Sequence, residues 1–217
     1  MGIFMDYIGA AVFYNLQILP ETLMTGIIVL AILLMNQSLV FLAAGAAGTQ
    51  LLTRAVGRIM MNMTPEETHI STSLDNCIGG FIGKSWERLL GLDPDALWHP
   101  RAPSVYLATL GFFAGYGGAV QQLYKEEIDA GVVGRHTLIA TSIISILLLI
   151  LAALFRYVSG CETFLGAAGG LALGLAIGYF GAISLGFATD RRATNIWGIP
   201  LLRDRINNGS AVYVCPK

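Results

Sequence analysis

Charge is what this sequence has least of. Only 12% of its 217 residues are Asp, Glu, Lys or Arg, about half the share that a soluble domain needs to keep its surface hydrated. With 55% hydrophobic residues and a mean hydropathy of +0.66, much of the folded surface must face something other than water. Neither sign is in surplus, with 13 Lys and Arg against 14 Asp and Glu. That balance leaves no electrostatic footprint for nucleic acid. Cysteine is scarce too. Cys77, Cys161 and Cys215 form no CxxC and no Cys/His ligand spacing, so neither zinc nor a disulfide framework is expected. A single bridge is open to them, but small inert apolar roles are the expectation. The chain has no P-loop, no HExxH, no GxSxG and no run of acids inside its apolar stretches. No metal or cofactor is therefore expected. The first 20 residues carry Asp6 and no basic segment, which argues against a cleaved signal peptide.

What the sequence does have is long apolar runs. A helix crossing a bilayer needs about 20 predominantly apolar residues, and four stretches qualify: Leu23–Ala47, Ser104–Leu123, Thr137–Val158 and Thr163–Phe187. None has a Lys, Arg or Asp at its centre, where each would cost about 2.5–3.5 kcal/mol on insertion. The expected fold is all-α, an integral membrane bundle of about four transmembrane helices. Asn36, Gln37 and Ser38 fall near the middle of the first stretch, where amides are expected to bond a neighbouring helix.

Three regions follow. Residues 1–20 form an N-terminal interfacial segment, residues 3–17 reading as a short amphipathic helix. Residues 21–187 form the bundle, interrupted by a long 48–103 loop. Within that loop, residues 76–92 carry Lys84, Glu87 and Arg88 beside Trp86, the pattern of a second interfacial helix. Residues 188–217 form an extramembrane tail, in which Asn207-Asn208-Gly209 between short apolar runs reads as a hairpin. Four spans place the N-terminus, the 124–136 loop and the tail on one side. The 48–103 loop and the 159–162 turn fall on the other.

The last span contains Gly166, Gly170, Gly174 and Gly178 at intervals of four, a groove along one helix face. Lipid supplies no hydrophobic drive between helices, so close backbone approach is what joins them. Gly111 and Gly115 of the second span are the expected partners in an intramolecular seam.

Pro103-Ser104-Val105-Tyr106 opens the second span, and Arg156 closes the third, six residues before Glu162. Over about residues 76–187 this layout resembles the type-2 phosphatidic acid phosphatase family, including its dolichyl-diphosphate phosphatase branch. That family's motifs run K-x6-R-P, then P-S-G-H, then S-R-x5-H-x3-D, with a small-residue helix after the last. The resemblance implies phosphate-holding roles for Ser104 and Arg156. It places Tyr106 where the family has the histidine that protonates the leaving group. Glu162 stands at the nucleophilic histidine, Gly166 at its orienting aspartate, and Phe155 at the serine before the arginine. Lys84 echoes the first motif, but Gly91-Leu92 replace its R-P. A nucleophilic imidazole needs an orienting carboxylate, and by sequence position none of His69, His99 and His136 can stand in for the missing imidazole. The implied site, made of Ser104, Tyr106, Arg156 and Glu162, is vestigial. Beside this stands a plainer reading of the same residues. Arg156 snorkels to the interface and pairs with Glu162, while Ser104 caps a helix.

The expected function is a non-catalytic structural or scaffold protein, with the lipid bilayer and a protein docked on the tail or the 48–103 loop as partners. A phosphatase-like bundle with a hairpin tail also resembles proteins that large DNA viruses place in an internal virion membrane. The alternatives are an active lipid or polyprenyl-diphosphate phosphatase, and a small transporter or channel with a path near Asn36 and Gln37.

Overall fold

The computed structural model describes residues 14–16, 18–63, 103–129, 135–189 and 191–196. Of the interfacial segment expected at 3–17 only residues 14–16, which are helical, fall within them; the segment expected at 76–92 and the hairpin expected in the tail lie outside. Among the described residues all regular structure is helical. The helices are α1 (Leu19–Leu34), α2 (Gln37–Met63), α3 (Val105–Leu123), the single turn α4 (Lys125–Asp129), α5 (Arg135–Val158) and α6 (Phe164–Ala188), followed by a 3-10 turn, Arg191–Thr194.

The expected first span is divided. Met35 adopts a left-handed conformation, φ 46° and ψ 36°. The Asn36 side chain accepts a hydrogen bond from Ser38 N at 2.9 Å, so Asn36 caps α2 rather than bonding a neighbour in mid-membrane. Asn is among the strongest N-cap residues because its side-chain oxygen satisfies an otherwise orphaned N–H. Apolar flanks on both sides hide this break from a hydropathy reading. The chain reverses there. Leu19 packs beside Tyr106 and Leu107, while Met24 and Ile27 pack further along, against a core containing Phe112 and Tyr116. Helix α1 therefore runs alongside α3, and α2 returns. Consequently residue 16 lies at the end of the bundle that holds Ser104, not at the opposite end as four uninterrupted spans require.

Helix α2 also continues past Ala47 to Met63, shortening the expected loop. Its interior hydroxyls do not stop it. Thr49 Oγ1 donates to Gly45 O at 2.8 Å and Thr53 Oγ1 to Thr49 O at 2.7 Å, and a hydroxyl bonded to its own helix needs no water. Among the described residues three helical stretches are long and apolar enough to cross a membrane: Gln37–Met60, Ile139–Val158 and Phe164–Ala188. Along α5, Ile143, Ile146, Leu147, Ile150 and Leu154 are all more than half exposed. A continuous aliphatic face of this size marks contact with something apolar.

Helix α3 is the axis of the fold. Leu107, Ala108, Ala119 and Val120 are completely buried, and Thr109 nearly so. Its most extensive packing is against α6, and the two run parallel. Gly170 lies on Ser104, Gly174 on Ala108, and Gly178 on Phe112 and Tyr116. From the other side, a side chain at Gly111 would meet Leu171 O at 2.7 Å, and Gly115 sits against the backbone of Leu175. Each of these five glycines lets two backbones touch, which is how helices associate without a hydrophobic drive. Helix α5 lies antiparallel to α3, with Gln121 Nε2 donating to Ser142 Oγ at 2.9 Å near one end and Arg156 over the Tyr106 ring at the other.

Candidate functional site

Three chain segments meet where α3 and α6 begin. Ser104 is the N-cap of α3, its Oγ accepting from Leu107 N at 3.1 Å. Thr163 is the N-cap of α6, its Oγ1 accepting from Gly166 N at 3.1 Å. Each cap satisfies one orphan donor of its first turn. Ser104 N donates to Gly166 O at 3.0 Å, tying the two starts together. Between them lies the turn from α5, closed by Cys161 N donating to Arg156 O at 3.1 Å and carrying Gly160 at φ 68°.

The side chains follow from these anchors. Arg156, on the last turn of α5, is 2% exposed. Its Nε and Nη2 donate to Glu162 Oε1 at 3.0 and 2.8 Å. The same oxygen accepts from Ser104 Oγ at 2.6 Å. Glu162 Oε2 is buried and has no hydrogen-bond partner among the described residues. The Arg156 guanidinium carbon stands 4.8 Å from the centre of the Tyr106 ring, within cation–π range. The Tyr106 hydroxyl donates to Leu16 O.

Ser104, Tyr106, Arg156 and Glu162 are thus brought together in one corner. The arrangement differs from a snorkelling arginine with a surface ion pair, because the Arg156 and Glu162 side chains are only 3% and 10% exposed. The aromatic member is also placed differently from the role that the resemblance implies. The Tyr106 hydroxyl is tethered to the main chain of the N-terminal segment, and the ring face, not the hydroxyl, meets Arg156. Leu16 is the member that sequence reasoning missed. A backbone carbonyl carries no residue-type signal, and the contact exists only because α1 folds back along α3.

Chemically, the corner assembles a cation, a hydroxyl and two helix N-termini around one carboxylate. Parallel packing of α3 and α6 is what aligns the two N-termini, and helix N-termini favour negative charge. Among the described residues no group of three or more His, Cys, Asp or Glu side chains is placed to hold a metal ion. Cys161 is disulfide-bonded, with its partner outside the described residues. This corrects the expectation of three inert thiols. Spacing alone does not reveal a bridge between distant segments.

Compared with protein-family models, curated proteins and solved structures, the chain matches none.

Proposed function

We propose that this chain is a non-catalytic, multi-pass membrane protein with a structural role, whose phosphatase-like corner is filled by its own Glu162. One observation carries the reading. The donors that would hold a phosphate, Arg156 Nε and Nη2 and Ser104 Oγ, all end on Glu162 Oε1. A carboxylate in that position repels an incoming phosphate and removes the donors it needs. Among the described residues no histidine takes part in the corner, and Tyr106 directs its hydroxyl to Leu16, so these residues supply neither an orienting pair for a nucleophile nor a free acid.

The bundle in this reading crosses the bilayer with α2, α3, α5 and α6. Helix α3 falls short of the hydropathy of the other three because of its Tyr, Thr, Gln and Gly residues, of which Tyr106, Thr109, Gly111, Gly115 and Tyr116 are buried. It runs alongside α6 from Ser104 to Leu123, and its 19 residues extend about 28 Å at 1.5 Å per residue. Helix α1, with 16 residues, reaches about 24 Å and lines the bundle without needing to span it. The segments between Met63 and Pro103 and beyond Ile196 are the parts available to dock a partner protein.

Phosphate release by the purified, detergent-solubilised chain tests the proposal. The substrates are phosphatidate, diacylglycerol diphosphate and a polyprenyl diphosphate, with Arg156→Ala as the control. No release above that control is expected from folded protein. Release that disappears with Arg156→Ala would make the chain an active lipid phosphatase instead.

A further inference from the structure

We infer that the bridge at Cys161 ends on Cys77, which leaves Cys215 as a thiol on the opposite side of the membrane. The inference rests on the membrane-crossing part of the reading above, and on the end of the bundle from which each described segment leaves.

Cys161 is disulfide-bonded, and Cys77 and Cys215 are the only other cysteines in the sequence. The choice lies between two residues, and the helix ends decide it. Cys161 is at the Ser104 end of the bundle. Its N–H closes the turn on Arg156 O at 3.1 Å, and the next residue, Glu162, accepts from Ser104 Oγ at 2.6 Å.

The chain that carries Cys77 departs and returns at this same end. Gly45 of α2 sits against the Phe112 ring, and further along Gln50 Nε2 donates to Thr109 Oγ1 at 3.3 Å. Helix α2 thus runs antiparallel to α3, and its remaining turns carry the chain past the level of Ser104 to Met63. The bundle resumes at Pro103, next to Ser104 itself. Cys77 falls between these two points in the sequence, so it can meet Cys161 without crossing lipid.

The tail starts from the other end. A β-carbon at Gly186 would touch both Leu123 and Thr194, and Thr194 is completely buried. Ile196 packs on the core that holds Val120 and Tyr124. To reach Cys161, the tail would have to travel back along the 19 residues of α3, about 28 Å at 1.5 Å per residue. A chain crosses lipid as a helix of about 20 predominantly apolar residues. Residues 197–214 contain Pro200, the consecutive Arg203-Asp204-Arg205 and Asn207-Asn208, a pattern that a lipid-crossing helix excludes from its centre. The bilayer therefore removes Cys215 from the choice. The remaining pair closes a loop containing α3, α4 and α5, and fastens the 64–102 segment to the turn that carries Glu162. The two segments open to a partner protein then face opposite sides of the membrane, one beside a disulfide and the other beside a thiol.

Peptide mapping of the full chain tests this without any substitution. Protein purified in detergent is alkylated without reductant, digested and read by mass spectrometry. One linked pair of peptides is expected, containing Cys77 and Cys161, with the alkyl group on Cys215 alone. A linked peptide containing Cys215, a Cys161 alkylated before reduction, or a Cys161 joined to a second copy overturns the pairing. Substitution gives an independent reading in folded protein. Cys77→Ser should open Cys161 to maleimide, and Cys215→Ser should leave it protected; the reverse pattern overturns the pairing as well. Sealed vesicles report the sides. A membrane-impermeant maleimide should reach Cys215 from one side, and Cys77 and Cys161, after an impermeant reductant, only from the other. All three reacting from one side, with the Cys77–Cys161 peptides still found, would overturn the placement of Cys215 together with the membrane-crossing reading. A Cys161–Cys215 peptide would instead strike the pairing and leave the absence of phosphate turnover standing.

Discussion

Gly170 lies directly against the backbone of Ser104, where even a methyl group would collide with both the Ser104 nitrogen, 2.7 Å away, and its carbonyl oxygen. The glycine seam and the polar corner are therefore one construction. Close packing of α6 on α3 sets the depth of the Ser104 hydroxyl, and the register of that packing brings Glu162 level with it. A change in the seam is transmitted to the corner as displacement of a helix start.

Substitutions in the seam separate packing from helix propensity. A β-carbon at Gly174 would meet the backbone of Ala108, while one at Gly169 or Gly181 has no neighbour within 4 Å. Gly174→Ala is expected to destabilise the protein by about 1–3 kcal/mol through overpacking. Gly169→Ala and Gly181→Ala should be neutral, or stabilising by up to about 1 kcal/mol from the better helix former. Thermal unfolding of the three variants in one detergent decides it. Equal effects at all three positions would mean that α6 is not held to α3 by its glycine face.

The reversal at Met35–Asn36 makes a prediction about depth. A cysteine placed at Asn36 should react with a water-soluble maleimide in intact vesicles, because the residue caps a helix at the end of the bundle. Mass spectrometry of the modified peptide reads the result despite the native cysteines. An unreactive position, equal to a control at Ile146 on the apolar face of α5, would restore the single uninterrupted span.

The corner was legible in the sequence because its residues sit at helix ends, where composition changes abruptly. Ser104 precedes an apolar run as a cap does, Arg156 closes one, and a short turn with Gly160 limits how far Glu162 can stray from it. The glycines were legible because intervals of four fix a face. What escaped was anything set by one side chain against an apolar background. Asn36 redirects the chain with a single hydrogen bond, and hydropathy averages over it. Helix α2 extends through Thr49 and Thr53 because their hydroxyls bond backwards into the helix, which residue polarity alone does not convey. Leu16 entered the corner only through that same reversal.

The bridge at Cys161 bears on sidedness. Disulfides persist in oxidising compartments and are rare where thiols are kept reduced, so the end of the bundle carrying the 159–163 turn is expected to face away from a reducing cytoplasm. Protein purified without reductant should leave Cys161 unlabelled by maleimide until dithiothreitol is added. Cys161→Ser should lower stability by about 2–4 kcal/mol. Labelling of Cys161 before reduction, in folded protein, would remove the argument for orientation.

The Arg156–Glu162 pair should behave as a coupled unit rather than as two independent contributors. Removing one member of a buried ion pair leaves an uncompensated charge and costs about 3–5 kcal/mol, whereas neutralising both costs much less. Arg156→Gln and Glu162→Gln are each expected to be strongly destabilising, and the double variant less so than the sum of the two, in a thermal or denaturant double-mutant cycle. Arg156→Lys is the sharper test. A lysine keeps the charge but presents no planar fork, so it cannot send two N–H groups to Glu162 Oε1 while stacking on the Tyr106 ring. Its destabilisation should approach that of Arg156→Gln. A lysine that restored wild-type stability would show that the corner needs only a positive charge, and that the planar contact with Tyr106 contributes nothing to holding α5 against α3.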